Sequence, residues 1–309
     1  MTKLFLPILL TLWFQNVFAQ SDSVYMFSYF KNNGEDGMHL AYSKDGYQWK
    51  ALNNDVAVLK PEAGNDKLMR DPCIVAGGDG LFHMVWTVSW HEPLIGYASS
   101  PDLVHWSVQQ AIPVMGKDTG VQNCWAPEIF YDRKSANYMI YWSSTVNGRF
   151  PETLSGGDMN HRIYYVVTKD FKKFSPAKLL YNKGFNVIDA TIVQAGKKYI
   201  MFLKNEIKLP KAEKNIRIAT SKKLTGGYSS ASLPITGNYW AEGPTAIQVK
   251  GKWIVYFDKY VNRKYGAVES EDLQHWNDVS DRLDMPVGIK HGTVFKISAI
   301  QFNNIKLQL

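Results

Sequence analysis

Five short steps along this 309-residue chain hold residue types suited to moving protons: Arg70-Asp71-Pro72, Trp125-Ala126-Pro127, Ile188-Asp189-Ala190, Glu242-Gly243-Pro244 and Lys290-His291-Gly292. Each stands before a short apolar run such as Cys73-Ile74-Val75 or Thr191-Ile192-Val193. Three of the steps carry a carboxylate: Asp71, Asp189 and Glu242. An apolar strand has no need of an acid at its start, and burying a charge without a partner is costly. Three acids gathered in one pit therefore read as a site where protons are given, taken or steered. The competing reading gives each acid a local task, capping backbone amides or pairing with Arg70, Arg217 or Arg263.

Whether the steps meet depends on the elements that carry them. A pattern of a small hydroxyl residue, usually an aspartate two places on, and an aromatic a few places later recurs at Ser43 to Trp49, Ser100 to Trp106, Thr168 to Phe174, Ser221 to Tyr228 and Ser270 to Trp276. The aromatics come at intervals of 48 to 68 residues, the length of one propeller blade. Before each repeat lies a strand-like run, and before that a richer aromatic and β-branched run, from Val24 to Phe30, Leu81 to Trp90, Tyr138 to Ser143, Tyr199 to Leu203 and Trp253 to Tyr260. The apolar leaders form a third set, Cys73-Ile74-Val75, Glu128-Ile129-Phe130, Thr191-Ile192-Val193 and Thr245-Ala246-Ile247. The N-terminal unit lacks a leader. Its missing strand stands at the far end, Thr293 to Ile297, and pairing of that strand with Val24 to Phe30 closes the ring and leaves no sheet edge exposed. No apolar residues recur at helical spacing over several turns. The expected fold is all-β, a five-bladed β-propeller closed by its C-terminal strand, with each leader innermost and the five steps around one mouth.

Residues 1–19 carry Lys3, an apolar stretch from Leu4 to Phe14 and Val17-Phe18-Ala19, the marks of a signal peptide. Residues 20–309 are expected to form one propeller domain, exported to the periplasm or the extracellular space. No later stretch approaches the roughly 20 apolar residues that span a bilayer, so no membrane partner is expected, and a monomer is. The formal charge of +7 could favour acidic polysaccharides by long-range attraction. Basic residues interleave with acids, as from Lys204 to Lys214, so nucleic acid is not an expected partner. Cys73 and Cys124 read as small core residues, with pairing open.

The ordered set Arg70-Asp71-Pro72, Trp125-Ala126-Pro127-Glu128, Ile188-Asp189-Ala190, Glu242-Gly243-Pro244 and His291-Gly292-Thr293-Val294-Phe295 resembles glycoside hydrolase family 43. The resemblance covers essentially the whole chain after residue 19. It implies a five-bladed propeller of the α-L-arabinofuranosidase and β-xylosidase type, with some galactan-active members, hydrolysing with inversion. By that resemblance Asp71 is the general base, Asp189 orients the acid and tunes its proton affinity, and Glu242 is the general acid. Inversion places a water beside the base and separates the carboxyls by about 6.5 to 9.5 Å. Burial against Trp240 and the charge of Asp189 are expected to favour protonated Glu242. Arg70 or a hydrogen-bond donor is expected to keep Asp71 ionised.

Around the mouth Arg70, Trp90, Trp125, Phe185, Trp240 and Tyr260 are candidates for sugar contact, since aromatic faces cover sugar rings. Glu128 stands where the family more often has aspartate, so a structural hydrogen bond competes there with sugar contact. His291 is a candidate for substrate contact or for a direct or indirect metal contact. No cofactor is required, and a structural cation such as calcium in the central channel is admitted by the resemblance. His105 and His275 read as structural. The expected partner is an oligosaccharide or polysaccharide, with terminal arabinose first, xylose or galactose next, and the insertion from Asn147 to His161 walling the pocket for exo action. Two rivals stand beside this: a retaining family 32 fructosidase, which lacks its Asn-Asp-Pro-Asn-Gly segment here, and a carbohydrate-binding propeller without turnover, which predicts loss of an acid.

Overall fold

The computed structural model describes residues 23–153 and 159–309. It is a five-bladed β-propeller. Blade I joins both ends of the described chain, with strands Gly292–Ser298, Ser23–Tyr29, His39–Ser43 and Lys50–Ala51 in order from the centre. Blade II holds Arg70–Ala76, Phe82–Thr87, Ile95–Ser100 and Gln110–Ile112; blade III holds Trp125–Asp132, Asn137–Ser144, Arg162–Thr168 and Lys178–Tyr181. Blade IV has three strands, Val187–Ala195, Lys198–Asn205 and Ile216–Ser221. Blade V has Glu242–Val249, Lys252–Lys259, Lys264–Ser270 and Asn277–Asp278. The expected closure is present: Tyr29 pairs with Gly292 and Val24 with Ile297, antiparallel and without slippage. The expected export segment lies outside the described residues.

Alternation along the second strand of each blade sends large side chains into the spaces between sheets. Trp86, Trp142, Phe202, Tyr256 and Phe27 are fully buried there, and the core is divided into clusters between neighbouring blades. The recurring Ser-x-Asp turns follow the third strands. Ser100 Oγ accepts from the amide of Leu103, and Asp102 Oδ1 accepts from those of Val104 and His105. Ser43 with Asp45, Thr168 with Asp170 and Ser270 with Asp272 repeat this geometry. His105 and His275 lie on the aspartates of these turns. Cys73 and Cys124 are buried and unpaired with each other. The single α-helix among the described residues, Ala299–Gln308, is capped by Ser298 and seats Phe302 against Tyr42.

Candidate active site

The structure corrects one expectation about the steps. They do not precede the inner strands but open them, through a bulge. Pairing jumps from Arg70 to Cys73, from Trp125 to Glu128, from Ile188 to Thr191 and from Glu242 to Thr245. The residue after the first paired position takes a left-handed backbone in every case: Asp71 (φ 53°), Ala126 (φ 45°), Asp189 (φ 50°) and Gly243 (φ 60°). Three residue types, Asp twice with Ala and Gly, thus occupy one repeated backbone position. Such bulges re-aim side chains at the ends of sheets. Asp71 and Asp189 are equivalent, but Glu242 is one position earlier, matching Arg70 and Ile188, so the three acids are not in register. The offset has a steric cause: a Cβ on Gly243 would lie 2.4 Å from His291 Cγ.

Ends of the second strands complete the mouth. Thr87, Ser143, Lys204 and Asp258 face Arg70, Trp125, Ile188 and Glu242 across their sheets. Three of them reach the following blade. The Ala126 amide donates to Thr87 Oγ1 (2.8 Å), the Asp189 amide to Ser143 Oγ (3.1 Å), and Lys204 Nζ to Glu242 Oε2 (2.8 Å). These links make the mouth one body instead of five.

Asp71 stands between Thr87, which donates to its Oδ2 at 2.8 Å, and His291, whose Nδ1 is 3.3 Å from its Oδ1. Burial alone would raise its proton affinity, but the His291 contact, its charge and Arg70 outweigh this and hold Asp71 below the ordinary carboxylate value. The expectation that Arg70 or a donor keeps Asp71 ionised therefore gains His291 as its main agent. Asp189 is buried and accepts from the Gly243 amide at 3.0 Å. Burial, with the charges of Glu242 and Asp71, raises it to about 6 despite His291 and Lys204. That mutual influence brings Asp71, Asp189, Glu242 and His291 into one electrostatic unit.

Glu242 departs from expectation. Its side chain is 30% exposed, and what meets it is the ammonium of Lys204. Trp240 does not bury it: that residue is 42% exposed, with its ring leaning on Tyr260 at 6.0 Å. Lys204 is buried between Glu242 and Glu206, each 2.8 Å away, and Lys214 pairs with Glu206 behind. Burial would lower the proton affinity of Lys204, but these carboxylates raise it well above the usual value, so the ammonium is permanent. Asp258, also buried, is pushed up to about 7 by burial and then by the charge of Glu242. Arg217 pairs with Glu213 instead of a mouth acid.

A wall of rings lines the opposite side. Arg70 stacks over Trp90 at 4.3 Å and donates to Asn33 Oδ1 at 2.9 Å. Trp90 meets Trp125 edge to face at 5.4 Å, and the Trp125 indole N–H donates to the Trp90 carbonyl. Behind Trp125 lies His161, ring to ring at 4.7 Å, kept neutral because burial lowers its proton affinity to about 4. Phe185 leans on Tyr181, in the core between blades III and IV. Of the insertion from Asn147 to His161, the described part is anchored by the buried Arg162, which donates to Asn160 and stacks on Phe150. Lys204, Asp258, Thr87 and His161 escaped the sequence reading, although for the first three a polar residue near the end of the aromatic strand was a visible signal.

Below the bulge the inner strands line a channel of about 400 Å³, ringed by Cys73, Glu128, Thr191, Thr245 and Thr293. Glu128 sits in this wall, accepts from Tyr141 at 2.9 Å, and is raised to about 7 by burial. Burial disfavours protonated His291, yet Asp71, Asp189 and Glu128 raise it to about 9. Among the described residues no group of three or more His, Cys, Asp or Glu is placed to hold an ion.

Residues 22–303 match the family described as a probable glycosyl hydrolase domain, related to glycoside hydrolase family 43. An α-L-arabinofuranosidase of Bifidobacterium longum is 24% identical over 229 residues, which are 65% of this chain and 21% of that protein. The chain therefore spans about a fifth of the length of this curated relative. Among solved structures, an α-L-arabinofuranosidase from Lactobacillus brevis superposes with a TM-score of 0.56 at 18% identity, over 69% of this chain and 72% of the other. A family 43 β-1,3-galactosidase superposes with a TM-score of 0.61 at 14% identity, over 92% and 59%. At these identities the structural likeness speaks for the fold.

Proposed function

The chain belongs to the glycosyl hydrolase family related to family 43, and from that premise we propose that it is an inverting exo-glycosidase that removes terminal sugars from plant-type glycans. Asp71 is the general base: held ionised by His291, it takes a proton from a water, which attacks the anomeric carbon. Glu242, the most open of the three acids, is the general acid: protonated for each turnover, it gives its proton to the departing glycosidic oxygen. Asp189 and Lys204 position it. The bond from the anomeric carbon to the glycosidic oxygen breaks as that to the water oxygen forms. Trp90, Trp125 and Arg70 cover the sugar ring, with Trp240 and Tyr260 opposite. The observation that carries the reading is that two carboxylates from different blades open on one mouth, Asp71 enclosed beside His291 and Glu242, beside Lys204, the more exposed of the two.

α-L-Arabinofuranoside is the first substrate, because the curated relative and a solved relative bear that name. A galactoside is the second reading, favoured by the galactosidase that superposes over most of this chain. Lys3 and the apolar residues after it support export. The test is a panel of aryl α-L-arabinofuranoside, β-D-xyloside and β-D-galactoside substrates on wild type, Asp71→Ala and Glu242→Ala, with proton NMR of the first-formed anomer. Glu242→Ala should keep most activity on leaving groups that need no protonation and lose it on natural glycosides. Equal loss on both removes Glu242 as proton donor, and a retained anomer removes inversion.

A further inference from the structure

The face opposite the mouth is built from the turns that follow the first and third strands of the blades, and on blades III and IV these turns carry many cations and few acids. Lys172 and Lys173 lie in the outer turn of blade III, Lys197 and Lys198 in the inner turn of blade IV, and Lys222 and Lys223 in its outer turn; all are exposed. Arg133 and Lys134 add the inner turn of blade III. None of them enters an ion pair among the described residues. The acids of the same turns, Asp132 and Asp170, face the backbone: Asp132 accepts from the Lys134 amide, Asp170 from those of Lys172 and Lys173. Blade V ends the patch, since Lys252 there pairs with Glu269 and Glu271.

One position separates this patch from ordinary solvated charge. In the outer turns of four blades the residue two places after the hydroxyl is Asp45, Asp102, Asp170 or Asp272, and each accepts backbone amides. Blade IV has Lys223 in that place. A turn that forgoes the acceptor its four sisters keep, and sets a cation among unpaired cations, breaks a local rule in the way functional positions do. Adjacent like charges repel, and a polyanion relieves that repulsion while releasing its own counterions.

We propose that the far face of blades III and IV docks an acidic polysaccharide, a chain with carboxylates on successive sugars, and holds the protein on it with the mouth turned away and free. The occupant follows from what the patch has and lacks. Its cations are nearly all lysine, point charges that meet carboxylates from many directions, without the arginine forks that favour bidentate capture of phosphate. Ring faces on which bases could stack are missing, because Phe171 and Tyr228 of these turns are buried. Apolar side chains that could enter a bilayer are missing from these turns too: the exposed Ile300 and Leu307 belong to the helix of blade I, across the ring.

The test is retention on immobilised polygalacturonate at about 50 mM salt, with the fully methyl-esterified polymer as the uncharged control and phosphatidylglycerol vesicles and duplex DNA as competing polyanions. Wild type should be held by the acidic polymer in preference to all three, and released as salt rises. Lys197→Glu, Lys198→Glu, Lys222→Glu and Lys223→Glu together should weaken binding at least about tenfold, with the melting temperature and aryl-glycoside hydrolysis unchanged. Lys60→Glu, Lys67→Glu, Lys117→Glu and Lys183→Glu, exposed positions in loops on the mouth side, change the net charge equally and should alter binding by less than about twofold. An equal response of the two sets, or no retention of wild type, overturns the docking surface. Equal retention on vesicles or DNA overturns the glycan as its occupant. Acetylation footprinting of wild type reads the same face without substitutions: the polymer should protect Lys197, Lys198, Lys222 and Lys223, and unchanged reactivity there overturns the proposal. The hydrolase reading is tested at the mouth and stands or falls separately.

Discussion

The two faces of the ring solve different problems with repeated parts. On the far face the Ser-x-Asp turns recur in sequence because their side chains are used up on the backbone: Ser100 and Asp102 satisfy amides that would otherwise face no partner. At the mouth it is the backbone that recurs, a bulge with a left-handed residue in four blades, while the side chains there differ as Asp, Ala, Asp and Gly. Repetition in the chain thus marks scaffold, and variation at a repeated structural position marks the site. Blade IV shows the distinction within one sheet. Its rim turn has lost the aspartate and is held by the Ser221 hydroxyl, which accepts from the Lys223 amide and donates to the Gly226 carbonyl, yet its mouth supplies Asp189 and Lys204.

The contrast can be broken most directly at its extremes. Asp71→Ala and Glu242→Ala should each lower kcat/KM on a natural glycoside by about a thousandfold, with folding unchanged by circular dichroism; an active Asp71→Ala enzyme would collapse the distinction. Lys204→Met should lower stability in urea by about 3 to 5 kcal/mol, since it strips a buried cation from two carboxylates. A neutral outcome there means that Glu206 and Glu242 are separately solvated and that the mouth is not one body.

Glu128 tests the channel beneath. Its folded proton affinity, raised from 4.5 to about 7, contributes stability that is present below the unfolded value and lost as pH rises through the folded one. Glu128→Gln should therefore gain on wild type as pH climbs from about 4.5 to 7, by about 2 to 3 kcal/mol, read from urea midpoints at each pH. A constant difference shows that water reaches the channel and relieves the burial. The smallest effect belongs to the far face. Asp102→Ala removes the acceptor of two backbone amides at a partly exposed turn and should cost about 1 kcal/mol, with kcat/KM unaltered; a catalytic effect from so far away breaks the comparison from the other side.

Much of this was legible in the chain. Blade spacing, closure by Thr293 to Ile297 and the three acids follow from local signals, alternation, turn residues and polar steps before apolar runs. The local environment of the acids was not legible. Trp240 was expected to bury Glu242 because it is two residues away, yet the group that meets Glu242 is 38 positions distant. That Glu242 stands one position before Asp189 in its step takes its structural meaning, the first paired position against the bulged one, only from the pairing partners.

The residues alone determined how many sheets form, that they close, and which carboxylates are available, because each depends on alternation and turn chemistry within a few neighbours. Only the tertiary structure decided which charges surround those carboxylates, and that His291 serves Asp71 and Lys204 serves Glu242. The reason is that electrostatic interactions run through space between blades, across register and ring order that no short stretch of chain encodes.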